Sequence, residues 1–301
     1  MKRYVAAGLL ACSLLPALAA ASLPVDLPAC PAYRFEEDPL NPDGNREAQA
    51  RKMAALERAQ GAGDAYALHQ VGSLYRLGRA HPARQVDTDL SRAGVLLSNA
   101  ALRGNIDAMA AMAEVEMSRG EALSAMVWAQ AHAHFKEKLE PDAIGDAYVA
   151  NLLARGFAGV GDGPGVDAEI AELVQAFVAT HGPAIEQAHA AASAQDPSCR
   201  HVSDDWPTER LADDGSRVAI AQTRASRELR GPGLAIYKLV LGQDGKVLHA
   251  MVVDSLPDAD VAKGLRGTAE RLRFNAVDAS APERVVLVPL TYGSGSLKPR
   301  E

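Results

Sequence analysis

The spacing of apolar residues changes twice along this chain. Residues 4–21 are almost continuously apolar, broken only by Gly8, Ser13 and Pro16. Residues 22–42, with Pro24, Pro28, Pro31, Pro39 and Pro42, have no period and read as an extended or irregular segment. From 43 to 195 apolar residues recur at intervals of three and four, the period of an amphipathic helix. A first helix is predicted over 43–60, with Ala50, Met53, Ala54 and Leu56 as its apolar face; Gly61-Ala62-Gly63 ends it and Asp64 caps the next. Helical pairs are also expected at 142–156 and 167–195. A linker is expected over 196–230, where Pro197, Pro207 and an acidic, turn-rich span mark a boundary. Beyond 231 the period becomes two: 234–241 puts Ala235, Tyr237, Leu239 and Leu241 on one face of a strand. Asp244-Gly245 marks a tight turn into a return strand over 247–253. Pro257 and Asp258 open a helix carrying Val261, Leu265, Thr268, Ala269 and Leu272 on one side, and 284–292 reads as a last strand. Strand, strand, helix, strand predicts a small α+β domain of three strands under one helix, over 231–293, before a flexible tail at 294–301.

The helical stretch nearly repeats itself. Ala67, Val71, Gly72, Tyr75 and Gly78 are followed by Asp89, Ala93, Leu96, Leu97, Ala100, Ala101 and Gly104. A shift of 41 residues places Ala108 under Ala67, Met112 under Val71 and Ala113 under Gly72; a shift of 32 places Ala125 under Ala93, Trp128 under Leu96, Ala129 under Leu97 and Ala133 under Ala101. Small residues at fixed places in paired helices let those helices approach closely, as in an α-solenoid. The string VGSLYRLG at 71–78 and DLSRAGVLLSNAALRG at 89–104 resemble a Sel-one-like repeat, a relative of the tetratricopeptide repeat. In the second unit, 108–133, Glu116 stands where Tyr75 stood. The resemblance implies a superhelical, all-α repeat domain of helix-turn-helix pairs over 43–195 that binds proteins and performs no chemistry. Trp128 and Tyr75 are read as seam-filling aromatics between repeat helices, with partner contact as the alternative.

From Gly233 through the Asp244-Gly245 turn, Asp254-Ser255, the helix end Arg271-Leu272-Arg273-Phe274 and the closing Val288-Pro289-Leu290-Thr291-Tyr292, the last domain resembles the TonB C-terminal domain. Departures are Leu256-Pro257 after Ser255, Leu272 in place of a common Trp, and Ala276 in place of the usual Pro. The resemblance implies a sheet whose edge takes up an extended segment from an outer-membrane protein as an added strand. Pro289 cannot donate to a ladder, which places its strand at an edge; Val286, Val288, Pro289, Leu290 and Tyr292 form the candidate partner-binding strand. Self-association through this domain, giving a homodimer, is the other use of the same edge. Pro289 alternatively serves only to keep edges from aggregating.

Met1-Lys2-Arg3, the apolar core and Ala17-Leu18-Ala19-Ala20-Ala21-Ser22 make residues 1–21 a secretory signal peptide with an A-x-A cleavage region. The alternative is a retained anchor, since about 18 residues nearly cross a bilayer. Cleavage implies the periplasm; retention implies an inner-membrane protein facing it. Loss of Lys2 and Arg3 takes the net charge from −7 to −9, and an acidic chain has no footprint for nucleic acid. The remaining cysteines, Cys30 and Cys199, are expected to form a disulfide in an oxidising compartment. No metal or cofactor is expected. His132 and His134 are two apart on a helix and point to different faces, while His69, His81, His181, His189 and His201 have no acidic or Cys neighbour at ligand spacing. The run Gly159-Val160-Gly161-Asp162-Gly163-Pro164-Gly165 follows no strand and is read as a connector. The function expected is a non-enzymatic envelope adaptor that binds proteins. The alternative is a membrane-anchored, TonB-like transport-coupling protein, although the leader has no His or acidic residue and the middle of the chain is no Pro-rich spacer.

Overall fold

The computed structural model describes residues 34–58, 64–140, 146–161, 163, 165–194, 231–277 and 284–292. The leader, the Cys30–Cys199 pairing, the linker and the tail lie outside the described residues. Among those described are eight α-helices: α1 (Arg46–Arg58), α2 (Ala65–Leu77), α3 (Leu90–Leu102), α4 (Ile106–Arg119), α5 (Ala122–Leu139), α6 (Asp146–Val160), α7 (Val166–Ala194) and α8 (Ala259–Arg271). Three strands, β1 (Gly233–Leu241), β2 (Val247–Leu256) and β3 (Arg284–Tyr292), form an antiparallel sheet in the order β2-β1-β3. The chain is therefore a helical portion followed by a small α+β portion.

Helix starts follow side-chain caps that satisfy otherwise unpaired backbone donors. Asp64 accepts from the Tyr66 amide, Asp89 from Arg92, and Asn105 from Ala108. The first helix begins at Arg46 rather than at 43, because Asn45 Oδ1 takes the Ala48 amide and Gly44 sits in a turn before it. Helices over 142–156 and 167–195 are single helices, not pairs; α7 runs unbroken through Pro183. Successive helices pack on one another, α2 on α3, α3 on α4, α4 on α5 and α5 on α6. Of the seven pairs matched by the sequence shifts, four are buried in both units (Val71 and Met112, Gly72 and Ala113, Ala93 and Ala125, Leu97 and Ala129), whereas Ala67, Trp128 and Ala133 are half-buried. Gly72 permits the closest approach, since a Cβ there would stand 2.7 Å from Leu97 Cγ. Tyr75 is buried in this seam and Trp128 packs edge-on against Phe177 on α7, with centroids 5.1 Å apart.

In the α+β portion, Gly245 adopts φ 78° in a three-residue hairpin loop closed by the Gly242 amide on the Lys246 carbonyl, 2.9 Å. A Gly in the left-handed region suits such a loop. The helix starts at Ala259 under an Asp258 cap, and Val261, Leu265, Thr268, Ala269 and Leu272 are all buried, as their spacing predicts. One sheet face, with Ala235, Tyr237, Leu239, Val252, Val286, Val288 and Leu290, packs on α8. The other, with Leu234, Ile236, Val240, Met251, Val253, Leu256 and Val285, joins the core of the helical portion. Each such side chain contributes roughly 1.5–3 kcal/mol when removed from water, so apolar burial supplies most of the attraction holding sheet to helices.

The irregular segment before α1 is a strap. Asp38, Leu40 and Asn41 are buried. Gln49 Nε2 donates to the carbonyls of Asp38 and Asn41, each at 2.8 Å, and Phe35 stacks on His249 of β2 at 3.9 Å.

Replacing Gly72 with Val should lower unfolding stability by about 1–3 kcal/mol through forced separation of α2 and α3. Urea denaturation of the purified variant checks this, and an unchanged midpoint would show that the seam has slack.

Candidate interaction site

The joint between the two portions is polar at two points, and a β-bulge creates the first. Ile236 pairs with Asp254 but Tyr237 pairs with Val252, so Val253 is the extra residue. A bulge shifts the parity of side chains beyond it. Val253 and Asp254 therefore both face the helices, whereas unbroken alternation would aim Asp254 at α8. There it is fully buried and meets three side chains from one face of α2. His69 Nε2 lies 2.8 Å from Asp254 Oδ2, Ser73 Oγ donates to Oδ1 at 2.5 Å, and Arg76 Nη2 donates to Oδ1 at 2.6 Å. The Ser255 amide donates to Oδ1 as well, 2.8 Å. Burial opposes charge on Asp254, but Arg76, His69 and Ser73 outweigh it and hold the carboxyl far below the usual carboxylate range.

The second point has the opposite polarity. Lys238, in the middle of β1 and on the same face as Asp254, reaches Asp38 Oδ2 of the strap at 2.6 Å. Asp38 is fully buried and also accepts from the Leu40 amide. Burial works against its charge too, yet Lys238 keeps its pKa below the ordinary value. The sheet thus offers one cation and one anion to a helical surface that offers their counterparts.

Two carbonyls on the β2 edge are taken by Arg76 and by His81, which lies four residues beyond the end of α2. His81 Nε2 lies 3.1 Å from the Val252 carbonyl and Arg76 Nη2 donates to the Ser255 carbonyl at 2.7 Å. Ala83 donates to His81 Nδ1, so the ring carries its proton on Nε2. These carbonyls point away from β1, which fixes the phase of the ladder. In an antiparallel sheet, backbone groups of alternate residues turn to alternate sides. Val252 and Ser255 pair with Tyr237 and Ala235, so those two β1 residues turn their backbone groups towards β3. Pro289 pairs with Ile236 and lacks an N–H, and it falls on a non-hydrogen-bonded position in the same phase. By alternation the backbone groups of Val285, Leu287, Pro289 and Thr291 turn outward, on the side away from β1. Among the described residues, no backbone or side-chain group hydrogen-bonds to that outer side of Val285, Leu287 or Thr291.

Of the five residues named from sequence, Val286, Val288 and Leu290 are buried against α8 and Tyr292 packs beside them. Their side chains belong to the core; of the alternate, outward positions Val285 and Thr291 are buried too, while Leu287 and Pro289 are half-buried. Pro289 is in the outward set, on an outer strand of the sheet. Sequence reasoning missed Asp254, Arg76, His69, Ser73, His81, Asp38 and Lys238. One signal was present: a lysine amid the apolar run of β1.

Other polar clusters hold the helices together. Glu114 is buried and accepts from Tyr148 Oη at 2.9 Å and from both terminal nitrogens of Arg155. His132 is buried, with Nδ1 3.1 Å from the Ile106 carbonyl, and His134 is exposed, so the two do face different ways. Ser73 and His69 both bond to Asp254 and neither reaches solvent, so their proximity to a carboxylate supplies no nucleophile. Among the described residues no group of three or more His, Cys, Asp or Glu side chains is placed to hold a metal ion, and no helix is long and apolar enough to cross a membrane. A shallow open cleft between α5 and α7, with Gln130, His134, Val174 and Gln175 on its walls, contains no carboxylate. His201 and the carboxylate pairs Asp204-Asp205 and Asp213-Asp214 lie outside the described residues. Comparison with protein-family models, curated proteins and solved structures returns no match.

Asp254→Ala should cost about 3–5 kcal/mol in chemical denaturation, because it leaves Arg76 buried without a counter-charge; the double variant Asp254→Leu/Arg76→Met should regain most of the loss. A double variant no better than the single one would show that shape, not charge, dominates the joint. Acid should weaken the fold earlier than carboxylate protonation alone. Burial pushes His81 down to about 4, and burial together with Lys136 does the same to His132. Unfolded imidazoles titrate near 6.5, so below that pH the unfolded chain takes up protons that the folded chain refuses. Stability should fall from about pH 6.5 towards 4, by up to about 3 kcal/mol per pH unit for two protons. His81→Gln should roughly halve that slope in denaturation midpoints taken across the range.

Proposed function

We propose that this chain is a non-enzymatic, exported adaptor of the cell envelope that binds other proteins, pairing a helical module of the Sel-one-like kind with a sheet module of the TonB C-terminal kind. The observation that carries this proposal is the asymmetry of the sheet. Both faces are covered, and carbonyls on the β2 edge are taken by His81 and Arg76. On the outer side of β3, no described residue hydrogen-bonds to Leu287 or Pro289, which are half-buried where Val285 and Thr291 are buried. Outward backbone groups on a rigidly backed strand are what an extended segment needs in order to add as a fourth strand. The apolar leader and Cys30 with Cys199 support an exported, oxidising setting. Fixed docking of the sheet on α2 supports a scaffold role, since it presents the edge in one orientation to the helical module beside it.

A photo-reactive diazirine analogue of leucine placed at position 287 should give, in living cells, a covalent adduct between this chain and another envelope protein. The same group at Val95, an exposed position on α3, serves as the control. An adduct from position 95 with none from 287 would move the binding surface to the helices and sink the edge proposal.

A further inference from the structure

We propose that the strap before α1 is a tethered stand-in for a client, and that its seat on β1 and β2 is a binding site for an acidic, extended segment of another protein. This deepens the reading of the chain as a protein-binding adaptor and rests on it. Three side chains mark the seat. Asp38 Oδ2 meets Lys238 Nζ in the middle of β1 at 2.6 Å, and Leu40 is buried in the core that the helices share with the inner sheet face. Phe35 stacks on His249 of β2 at 3.9 Å, with the rings 21° from parallel. The pattern recognised is an aromatic residue, an acid three places on and a leucine two places beyond it. The strap is acidic throughout, with Glu36, Glu37, Asp38 and Asp43 against Arg34 alone.

Side chains alone fasten the strap to the sheet. Its amides bond within the strap, Asp38 to the Phe35 carbonyl, Asn41 to that of Asp38, Gly44 to that of Asn41 and Asn45 to that of Glu36. Among the described residues, no backbone hydrogen bond joins it to β1 or β2. A segment held in this way keeps its own hydrogen bonds when it lifts off, and gives up one ion pair, one ring stack and one buried leucine. A client offering the same three groups restores them, as a few central anchors do at protein interfaces. Exchange opens at the rim, since His249 is exposed and Phe35 half-buried, and it ends at Lys238. A buried lysine deprived of its carboxylate is strongly unfavourable, so Lys238 disfavours an empty seat and selects an acid to fill it. The tether decides when a client wins. A segment of the same chain acts at an effective concentration on the order of millimolar. A free peptide of equal fit, or a second copy of this chain, does not displace it at micromolar levels. A client already held elsewhere on the adaptor competes at a similar local concentration, so the seat answers to a partner bound at two points.

The test uses the full chain and a fluorescein-labelled peptide of residues 34–45, followed by anisotropy. The variant Phe35→Ala/Leu40→Ala loosens the strap while leaving Asp38 to Lys238. It should bind the peptide at least tenfold more tightly than the wild-type chain does. The same peptide carrying Asp38→Asn should bind this variant at least tenfold more weakly. Equal binding of the two peptides would overturn the proposal, as would no binding by a variant whose circular dichroism matches the wild type. Phe35→Ala alone serves as a second variant, because it leaves Leu40 in the core. Hydrogen exchange of the wild-type chain needs no substitution: the Leu40 and Asn41 amides should exchange at least tenfold faster than those of Leu239 and Val240 in β1. Equal rates would mean that the strap opens only when the sheet unfolds, which also overturns it. These failures leave the adduct from position 287 untouched, whereas failure of the adaptor reading appears as no adduct from 287 or 95.

Discussion

The arrangement of this molecule depends on one carboxylate kept ionised without water. Asp254 sits at the centre of the joint, and everything within reach of it donates: an imidazole, a hydroxyl, a guanidinium and a backbone amide. A buried charge so surrounded gains little net stability over an apolar replacement. What it gains is a unique fit. Apolar burial would let the inner sheet face slide on α2 at small cost, whereas a displaced Asp254 leaves Arg76 stranded. The Lys238–Asp38 pair, of opposite sign and on a neighbouring strand, removes the remaining freedom of rotation. Two ion pairs of reversed polarity therefore define one docking pose.

From that pose follows the inequality of the two edges. Arg76 satisfies Asp254 with the same nitrogen that reaches the Ser255 carbonyl, and its other terminal nitrogen reaches Pro257 at 2.9 Å. His81, four residues past the end of α2, reaches the Val252 carbonyl. The residues that lock the sheet in place also cap one of its rims. On the opposite rim no described residue hydrogen-bonds to the outward backbone groups, although Val285 and Thr291 there are buried.

Much of the architecture was legible in the amino-acid order because it rests on local rules. Asp64 and Asp258 announce helix starts, their carboxylates accepting from the Tyr66 and Asp260 amides, and the hairpin turn is written in Asp244-Gly245. The period of α8 predicts Val261, Leu265, Thr268 and Ala269 of its buried residues, though not Ala259 or Ala262. Other features resist such reading. Asn45 moves the first helix start by competing with 43–44 for the role of cap, and Pro183 sits inside a helix it was free to end. The joint was invisible for a stronger reason. His69 and Asp254 are 185 positions apart, so no spacing rule connects them, and a one-residue bulge inverts the side on which Asp254 would otherwise lie. Alternation counted from β1 sends the acid to the wrong layer. Lys238 was the nearest thing to a clue, since a central strand buried on both sides tolerates a cation only if its counter-charge is supplied from elsewhere.

The strap before α1 carries a consequence for the order of assembly. Asp38 leaves the ribosome early, yet its partner Lys238 comes 200 residues later, and Phe35 waits still longer for His249. Helices α1 to α7 can form from neighbours alone, but contacts of such high sequence separation form slowly. A segment made before every described α-helix is thus seated after them. Until the final hairpin arrives, Asp38 stays in water and the apolar side of the helices that meets the sheet stays uncovered, so a chain cut short before β1 lacks not just the sheet but the closure of the strap.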